Sequence, residues 1–412
     1  MEPQAVLLWA ISFISLFLSI FWILLLLSEE NKFKNAKEAK DYPKVSIIVP
    51  AHNEEKVIKK TITSLLNLNY PKNKLQIIAI NDDSTDNTLK RLKSIKDRRL
   101  RIINRHPGYT GKAVAVNKGM PFVRGQLVGV LDGDTPYISP DSLIYMVPHF
   151  DNPNVGAVIG SLKVWKPKNI LEKLQWFEYL FVTLTRKLLA SLSALYVTPG
   201  GSFSLFRKDI LDKIGYFDEE SLTEDLEMAM RLQYHKYDII SELKSITQTK
   251  VPNTFRWFHN QRIRWYRGWL HTVYKYRSML FNREYGFLGM FQMPISTILP
   301  IFLISITFII GYEILKTLYT GLLLLSVVNI KDVFFQTLHF KELALSVNPL
   351  IFPMAVVLVL GLFMLRRAQI HLKETWKYPV ATLGYFIVYQ IILSSYWLVA
   401  LFYEVTRAKK KW

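Results

Sequence analysis

Two aspartates end an apolar run in the stretch VGVLDGDTPY. Asp132 and Asp134 are separated by one glycine, and no basic residue stands beside them in the sequence. Side chains two residues apart in an extended chain point the same way, so the two carboxylates should repel each other. This arrangement predicts a divalent cation between them. Because the chain has no cysteine, the ligands of that cation must be oxygen or imidazole rather than thiolate.

Two more polar loops follow apolar runs. AHNEE begins at Ala51 and contains Glu54, and NDDSTDNT contains Asp82. Each has a plain structural interpretation: the first as a helix start with acids favoured by the helix dipole, the second as a turn capped by Ser84 or Asp86. DGD alone is a weak signal, because Asp-Gly is common in turns. The functional interpretation depends on the recurrence of all three loops after successive predicted strands.

A second acidic pair, Glu224 and Asp225, opens the predicted helix SLTEDLEMAMRL. Ser221 and Glu224 fit the spacing of a capping box, which explains both residues without any chemistry. That interpretation leaves Asp225 unexplained, in the first turn beside another acid. Asp225 is therefore a candidate catalytic residue.

The stretch NQRIRWYRGW combines arginine with aromatic side chains. If it is helical, Gln261, Arg264 and Trp265 share one face at i, i+3 and i+4. Such a face has a plain interpretation as an anchor at lipid headgroups. Arginine also suits phosphate oxygens, and tryptophan offers a flat apolar surface to a ligand.

The elements that must position these residues alternate between residues 43 and 252. Short β-branched runs such as KVSIIVPA, LQIIAIN and QLVGVLD are separated by helical patterns such as EEKVIKKTITSLLNL. This rhythm predicts an α/β fold with a mostly parallel, Rossmann-like sheet covered by helices on both faces. Ligands of such sheets bind at the carboxyl ends of the strands, where the three acidic loops occur.

Apolar segments flank this block. Residues 6–27 carry no charge and are long enough to span a bilayer, which predicts an N-terminal transmembrane helix within 1–30. A signal peptide is the competing interpretation, but the run is too long and no basic residue precedes it. The lysines that follow favour the cytoplasmic side for the catalytic domain; they are Lys32, Lys34, Lys37, Lys40 and Lys44.

The C-terminal region 286–405 has three or four predicted spans. Residues 286–310 and 379–402 are clear, 348–365 is shorter, and 314–328 fits either a span or an interfacial helix. Segments 169–195 and 253–285 are predicted to lie along the bilayer surface. The net charge of +19 fits nucleic acid or an anionic membrane. Since the basic residues lie beside apolar segments, we expect a lipid bilayer and no nucleic acid as partner.

The ordered set IIVPAHNEE, NDDSTDNT, LDGD, TED and QRIRW resembles the processive, membrane-embedded family 2 glycosyltransferases. That group includes cellulose, chitin, hyaluronan and poly-N-acetylglucosamine synthases, and the layout is most similar to poly-β-1,6-N-acetylglucosamine synthases. One departure is Asp83, where glycine is usual. The resemblance implies a GT-A fold in 43–252, a UDP-sugar donor, Mg²⁺ or Mn²⁺, inversion at the anomeric carbon, and a multi-pass protein of the cell membrane.

The resemblance also implies residue roles. These are nucleotide-sugar binding by Ala51, Glu54, Asp82, Lys112, Asp132, Gln261 and Arg264; metal ligation by Asp134 and Asp132; acceptor binding by Trp265, Glu224 and Asp225; and general base catalysis by Asp225. Lys112 would lie near the uracil or the diphosphate.

Three functions remain open at this point. The first is synthesis and translocation of a β-linked polysaccharide, with N-acetylglucosamine as the leading sugar. The second is transfer of one sugar to a membrane lipid, since ceramide glucosyltransferases resemble the same pattern. The third is a non-enzymatic membrane transporter, which predicts that Asp134→Asn and Asp225→Asn leave activity intact. A homo-oligomer or an accessory membrane subunit would complete a channel that has few spans.

Overall fold

The computed structural model of the 412-residue chain describes residues 3–29, 41–105, 111–197, 203–327, 351–375 and 377–407. Four of the five lysines after the first apolar segment, within 30–40, lie outside the described residues. So do most of the basic C-terminal end and residues 328–350.

An eight-stranded sheet forms the centre of the region between residues 45 and 249. Its strands are β1 Val45–Ala51, β2 Leu75–Asp82, β3 Leu100–Arg105, β4 Leu127–Val130, β5 Tyr137–Ile138, β6 Val155–Val164, β7 Ser204–Arg207 and β8 Asp238–Thr249. The spatial order is β3-β2-β1-β4-β7-β6-β8-β5. Strands β1 to β4 are mutually parallel, β6 pairs with β8 in parallel, and β7 runs antiparallel between β4 and β6. The predicted mostly parallel sheet is confirmed.

The helices follow the predicted pattern. They are α1 Pro3–Glu29, α2 Ile58–Leu66, α3 Thr88–Lys93, α4 Lys112–Gly119, α5 Ser142–Met146, α6 Ile170–Ser191, α7 Lys208–Ile214, α8 Glu224–Tyr234, α9 Phe255–Lys275, α10 Met293–Val327, α11 Ile351–His371, α12 Pro379–Gly384 and α13 Gln390–Val405. Every residue of β1 is buried. Two adjacent residues of this strand, Ile47 and Ile48, belong to separate hydrophobic clusters on the two faces of the sheet. This is expected for a strand that is covered on both sides.

Within the described ranges, three helices are long and apolar enough to cross a membrane: Trp9–Ser28, Leu288–Ile309 and Pro379–Val405. Residues 314–327 are helical, as both interpretations of 314–328 require, and they continue α10 as one helix from Met293 to Val327. Position 328 lies outside the described residues, and whether the segment spans a membrane stays a prediction. Residues 351–365 of the predicted span at 348–365 lie in α11. Residues 348–350 lie outside the described ranges.

Helices α6 and α9 lie between the sheet and the C-terminal helices. A capping box starts α6, in which Asn169 and Glu172 bond each other's backbone N–H at 2.9 Å. Helix α6 packs on β6 and β8 on one side and on α11 and α12 on the other. Most of the segments predicted at 169–195 and 253–285 is helical, in α6 and α9, and their place at a bilayer surface stays a prediction.

Candidate active site

The loops after β1 and β2 form one surface at the carboxyl ends of the strands. His52 Nδ1 lies 2.7 Å from the backbone oxygen of Asp82. The backbone N–H of Asn53 donates to Ser84 Oγ at 3.0 Å, and Asn53 Oδ1 accepts from the backbone N–H of Thr85 at 2.8 Å. The structure thus brings AHNEE and NDDSTDNT together, as the strand order predicts.

The DGD turn packs against the end of β1. A Cβ at Gly133 would lie 2.7 Å from the backbone oxygen of Pro50 and 3.2 Å from Ala51 Cβ, so only glycine fits without a shift. Thr61 Oγ1 donates to the Gly133 carbonyl at 3.0 Å. Because β4 ends at Val130, the two aspartates lie in a turn rather than in the strand. Strand alternation, from which their repulsion was expected, does not apply to them.

Asp82 is buried and is paired with Arg105, whose Nε donates to Asp82 Oδ1 at 2.5 Å. In the part of the chain that the structure describes, Asp82 Oδ2 is enclosed and has no hydrogen-bond partner. An enclosed acceptor without a partner is costly, so this oxygen can accept from an N–H of a ligand. The next residue, Asp83, has φ 53°. This left-handed conformation favours glycine, and aspartate is among the residues that tolerate it.

Lys112 supplies a positive charge that the sequence did not place beside the aspartates. Its Nζ lies 2.5 Å from Asp132 Oδ1 and 3.0 Å from Glu224 Oε1. Gly111, at φ 101°, turns the chain into α4 and brings Lys112 to this edge. The expectation that no basic group compensates the pair is therefore wrong for Asp132.

Asp134 remains less well compensated. Burial and the charge of Asp132 raise the pKa of Asp134 to about 6, although Lys112 opposes this shift. Burial and the charge of Asp134 likewise raise the pKa of Glu54 to about 7. Among the residues described, no three His, Cys, Asp or Glu side chains are grouped to hold a metal ion. The protein thus offers two carboxylates and excess negative charge, which suits a hard cation that takes its other ligands from phosphate and water.

The second acidic pair does not form the predicted capping box. The N-cap of α8 is Thr223, whose side chain makes no capping bond, and Ser221 Oγ accepts from the Thr223 N–H at 3.2 Å. Glu224 instead contacts Lys112. Burial and the charge of Glu224 raise the pKa of Asp225. Burial opposes ionisation of Glu224 too, but Lys112 and Arg264 outweigh it and lower the pKa of Glu224. The environment therefore separates the two acids, which is typical of a base beside an ionised partner.

Helix α9 confirms the helical interpretation of NQRIRWYRGW. Gly268 packs directly on Thr223, where a side chain would overlap the threonine hydroxyl, so α9 is held against the start of α8. Arg264 is exposed, and its charge acts on Glu224 and Asp225. Gln261 Oε1 is enclosed and has no hydrogen-bond partner in the described ranges. The effect of Arg264 on both pKa values places it near the acidic pair, and the role of Gln261 stays a prediction.

Arg262 has a structural role that the sequence reasoning missed. Its side chain is 2 % exposed, and its Nη1 and Nη2 donate to the two oxygens of Glu178 at 2.8 and 2.6 Å. Tyr389 donates to the same carboxylate at 2.8 Å. The guanidinium also lies 4.4 Å from the ring centre of Trp265. Side chains two positions apart on an α-helix point in directions that differ by about 200°. Arg262 and Arg264 therefore face different surroundings.

A cavity of about 420 Å³ lies between α6, α8, α9 and α13. Asp225 and Trp265 are on its wall, together with Tyr179 and Arg186 from α6 and Trp397 from α13. Arg186 Nε is enclosed and without a hydrogen-bond partner among the described residues. The sequence did not indicate that side chains of α6 line this cavity. The apolar pattern of α6, with a few charges, indicated only a helix along the bilayer surface.

Comparisons with known proteins agree with this geometry. Residues 43–268 match the profile described as glycosyltransferase like family 2. A poly-β-1,6-N-acetyl-D-glucosamine synthase of Staphylococcus epidermidis is 32% identical over 266 residues, which are 62% of this chain and 64% of the relative. A probable glycosyltransferase of Bacillus subtilis is 31% identical over 288 residues, or 64% of this chain and 68% of the relative. The match therefore spans less than two thirds of the synthase.

Among solved structures, a mannosyltransferase from Pyrobaculum calidifontis in complex with GDP-Man and Mn²⁺ aligns with a TM-score of 0.58 at 18% identity, over 90% of this chain and 98% of that one. This likeness concerns the fold and confirms the expected GT-A architecture. Since the profile covers more than half of the chain, the protein belongs to glycosyltransferase family 2.

Proposed function

We propose that the protein is an inverting, metal-dependent glycosyltransferase of the cell membrane. It transfers a sugar from a UDP-sugar, with UDP-N-acetylglucosamine as the best candidate, to the end of a growing β-linked polysaccharide. The observation that carries this proposal is the position of Asp225. It lies on the wall of the cavity that contains Trp265, while the adjacent Glu224 contacts Lys112, which also binds Asp132.

The donor side is built from the carboxyl ends of β1, β2 and β4. Asp82 would accept from the uracil, beside the backbone of residues 51–54. Asp134 and Asp132 would hold Mg²⁺ or Mn²⁺, and such a cation neutralises charge on a departing diphosphate. Lys112 and Arg264 are suited to donate charge-assisted hydrogen bonds to the phosphate oxygens.

On the acceptor side, a sugar hydroxyl is a poor nucleophile until it loses its proton. Asp225 accepts that proton as the hydroxyl oxygen bonds to the anomeric carbon and the bond from that carbon to the diphosphate oxygen breaks. The electrons of the broken bond leave with UDP. One displacement inverts the configuration, so an α-linked donor gives a β-linked product. Trp265 stacks against the acceptor ring and keeps it in line.

The membrane-facing elements fit a product that leaves as it grows. The acceptor cavity extends from Asp225 to Trp397 on the last helix. We infer that α6 and α9 lie at the cytoplasmic surface of the bilayer, with the catalytic domain in the cytoplasm. A homo-oligomer or an accessory membrane subunit would close the channel.

The test supplies the purified full-length protein with a panel of labelled nucleotide sugars and Mn²⁺ or Mg²⁺, and then sizes the products. We expect a ladder of polymer lengths from UDP-N-acetylglucosamine and none from the Asp225→Asn variant. Absence of transfer from every donor would overturn the proposal. So would undiminished activity of Asp225→Asn and Asp134→Asn, which is the result that the transporter alternative predicts.

Transfer of one sugar to a membrane lipid is the second candidate. Its support is the apolar part of the cavity wall, which includes Val182, Leu189 and Leu195 and would accommodate a lipid chain. Thin-layer chromatography separates the two outcomes, because a single glycolipid migrates as one species and a polymer does not.

A further inference from the structure

A second cavity lies at the opposite edge of the sheet, among the amino ends of β1, β2, β3 and β4. Its volume is about 460 Å³, and the described residues that line it include no acid. The cationic residues of its wall are Lys44, Lys72, Lys74, Arg98, Arg99, Arg101 and Arg124. Nothing in the proposed transfer reaction uses this edge.

Few of these charges are compensated. Arg99 donates to the two oxygens of Asp97 at 3.0 and 2.8 Å, and Lys74 lies 3.3 Å from Asp41. The remaining five cations form no ion pair with any residue that the structure describes. Like charges held in one concave surface repel each other, and water alone screens them incompletely.

One donor in the cavity wall is also unsatisfied. While Asp97 holds two of its nitrogens, Arg99 Nη1 is enclosed and has no hydrogen-bond partner within the described ranges. A buried N–H without an acceptor costs folding free energy, and a small movement of the Arg99 side chain towards a ligand in the cavity would satisfy it. This observation is independent of the number of cations.

Specific contacts hold part of the wall, although Lys44, Lys72, Arg98, Arg101 and Arg124 are exposed. The Arg101 guanidinium carbon lies 3.9 Å from the ring centre of Phe122. Ser46 Oγ accepts from the backbone N–H groups of Arg124 and Gly125 at 3.1 and 2.9 Å. A Cβ at Gly125 would lie 2.6 Å from the Ser46 nitrogen, so this close packing requires glycine. These contacts order the Arg101 guanidinium and the backbone at Arg124, which reduces part of the cost of binding.

We propose that this cavity binds a soluble phosphorylated ligand with several negative charges, of the size of a nucleoside di- or triphosphate. Guanidinium groups match phosphate oxygens in pairs, and the volume lies in the range of small-molecule sites. The seven residues of β1 separate this edge from the catalytic loops by about 23 Å. Because α6, α9 and the membrane helices lie towards the catalytic edge, a soluble ligand is favoured over a lipid headgroup.

The test titrates sodium tripolyphosphate into the full-length protein in phosphatidylcholine nanodiscs, by calorimetry, in metal-free buffer. We expect one equivalent to bind with an affinity that falls as salt rises. The variant Arg98→Gln/Arg124→Gln should bind about tenfold or more weakly, because two charge-assisted contacts are lost. The matched control Lys90→Gln/Lys93→Gln removes the same charge from the exposed face of α3 and should bind as the wild type does.

Unchanged binding by Arg98→Gln/Arg124→Gln, equal weakening by both double variants, or no binding of tripolyphosphate at all, would overturn the proposal. A second arm adds phosphatidylglycerol to the nanodiscs. If the anionic lipid abolishes tripolyphosphate binding, the phosphate source is the membrane and the assignment to a soluble ligand is wrong. None of these outcomes depends on sugar transfer, so the proposed catalytic function is tested separately.

Discussion

Arg262 and Arg264 are two residues apart on α9, and the structure gives them different tasks. Arg262 is 2 % exposed and binds both oxygens of Glu178, whose side chain is 13% exposed. Arg264 is exposed and acts on the charges of the acidic pair. Replacement of each arginine by methionine should therefore separate stability from catalysis.

For Arg262→Met, the Glu178 carboxylate stays buried without its cation, which costs about 3–5 kcal/mol of unfolding free energy. Arg264→Met removes an exposed side chain, so the unfolding free energy should change by no more than about 0.5 kcal/mol. Its kcat should fall about 100-fold, because a donor to the departing diphosphate is lost. Denaturant titration followed by tryptophan fluorescence measures the first quantity, and initial rates per folded enzyme measure the second.

The double variant Glu178→Gln/Arg262→Met serves as the control, since it removes the stranded charge. It should recover part of the stability lost by Arg262→Met. If Arg262→Met is as stable as the wild type, or if Arg264→Met is destabilised to the same extent, the division of roles between the two arginines is refuted.

The acidic pair and the close-packed turn allow three further tests. Asp225→Asn should lower kcat about 1000-fold through loss of the base, with UDP affinity by calorimetry unchanged. Activity should rise with pH as Asp225 ionises. The variant Glu224→Gln removes a negative charge that raises the pKa of Asp225. The acidic limb of the pH profile of kcat/KM should therefore move about one pH unit lower. Gly133→Ala displaces the DGD turn and should cost about 100-fold in kcat, measured beside Gly321→Ala, where nothing lies within 4 Å of the added Cβ.

Each of these tests has a contrary outcome. Asp209→Asn makes the same chemical change on the exposed side of α7, so a similar loss in both aspartate variants would indicate a general effect. A shift of the acidic limb to higher pH in Glu224→Gln would mean that Asp225 is not the titrating base. Equal activity of the two glycine variants would contradict the packing of the turn against Pro50.

Much of the fold could be predicted from local patterns. The β-branched runs and amphipathic periods place β1, β2 and β4 and their helices, because side-chain alternation depends only on the residues within one element. The parallel order then predicts that the loops containing Ala51, Asp82 and Asp132 meet at one edge. His52 and Asn53 join the first two loops, and Gly133 packs the third against Ala51. Antiparallel β7 escaped prediction, since four residues show too short a pattern.

The capping box expected at Ser221 and Glu224 illustrates the limit of local spacing. The spacing was right, but tertiary contacts decided the outcome: Lys112, from a helix before β4, offers Glu224 a charged partner, which is stronger than a backbone N–H. The same lysine compensates Asp132.

The sequence by itself determined the element types, the order of the acidic loops and the family resemblance, since each depends on neighbours along the chain. Only the tertiary structure decided which arginine of QRIRW is buried, which acid contacts Lys112, and that α6, α9 and α13 enclose a cavity beside Asp225. The physical reason is that ion pairs and cavities arise between elements far apart in the sequence. Their energies depend on burial and distance, which no spacing along one chain encodes.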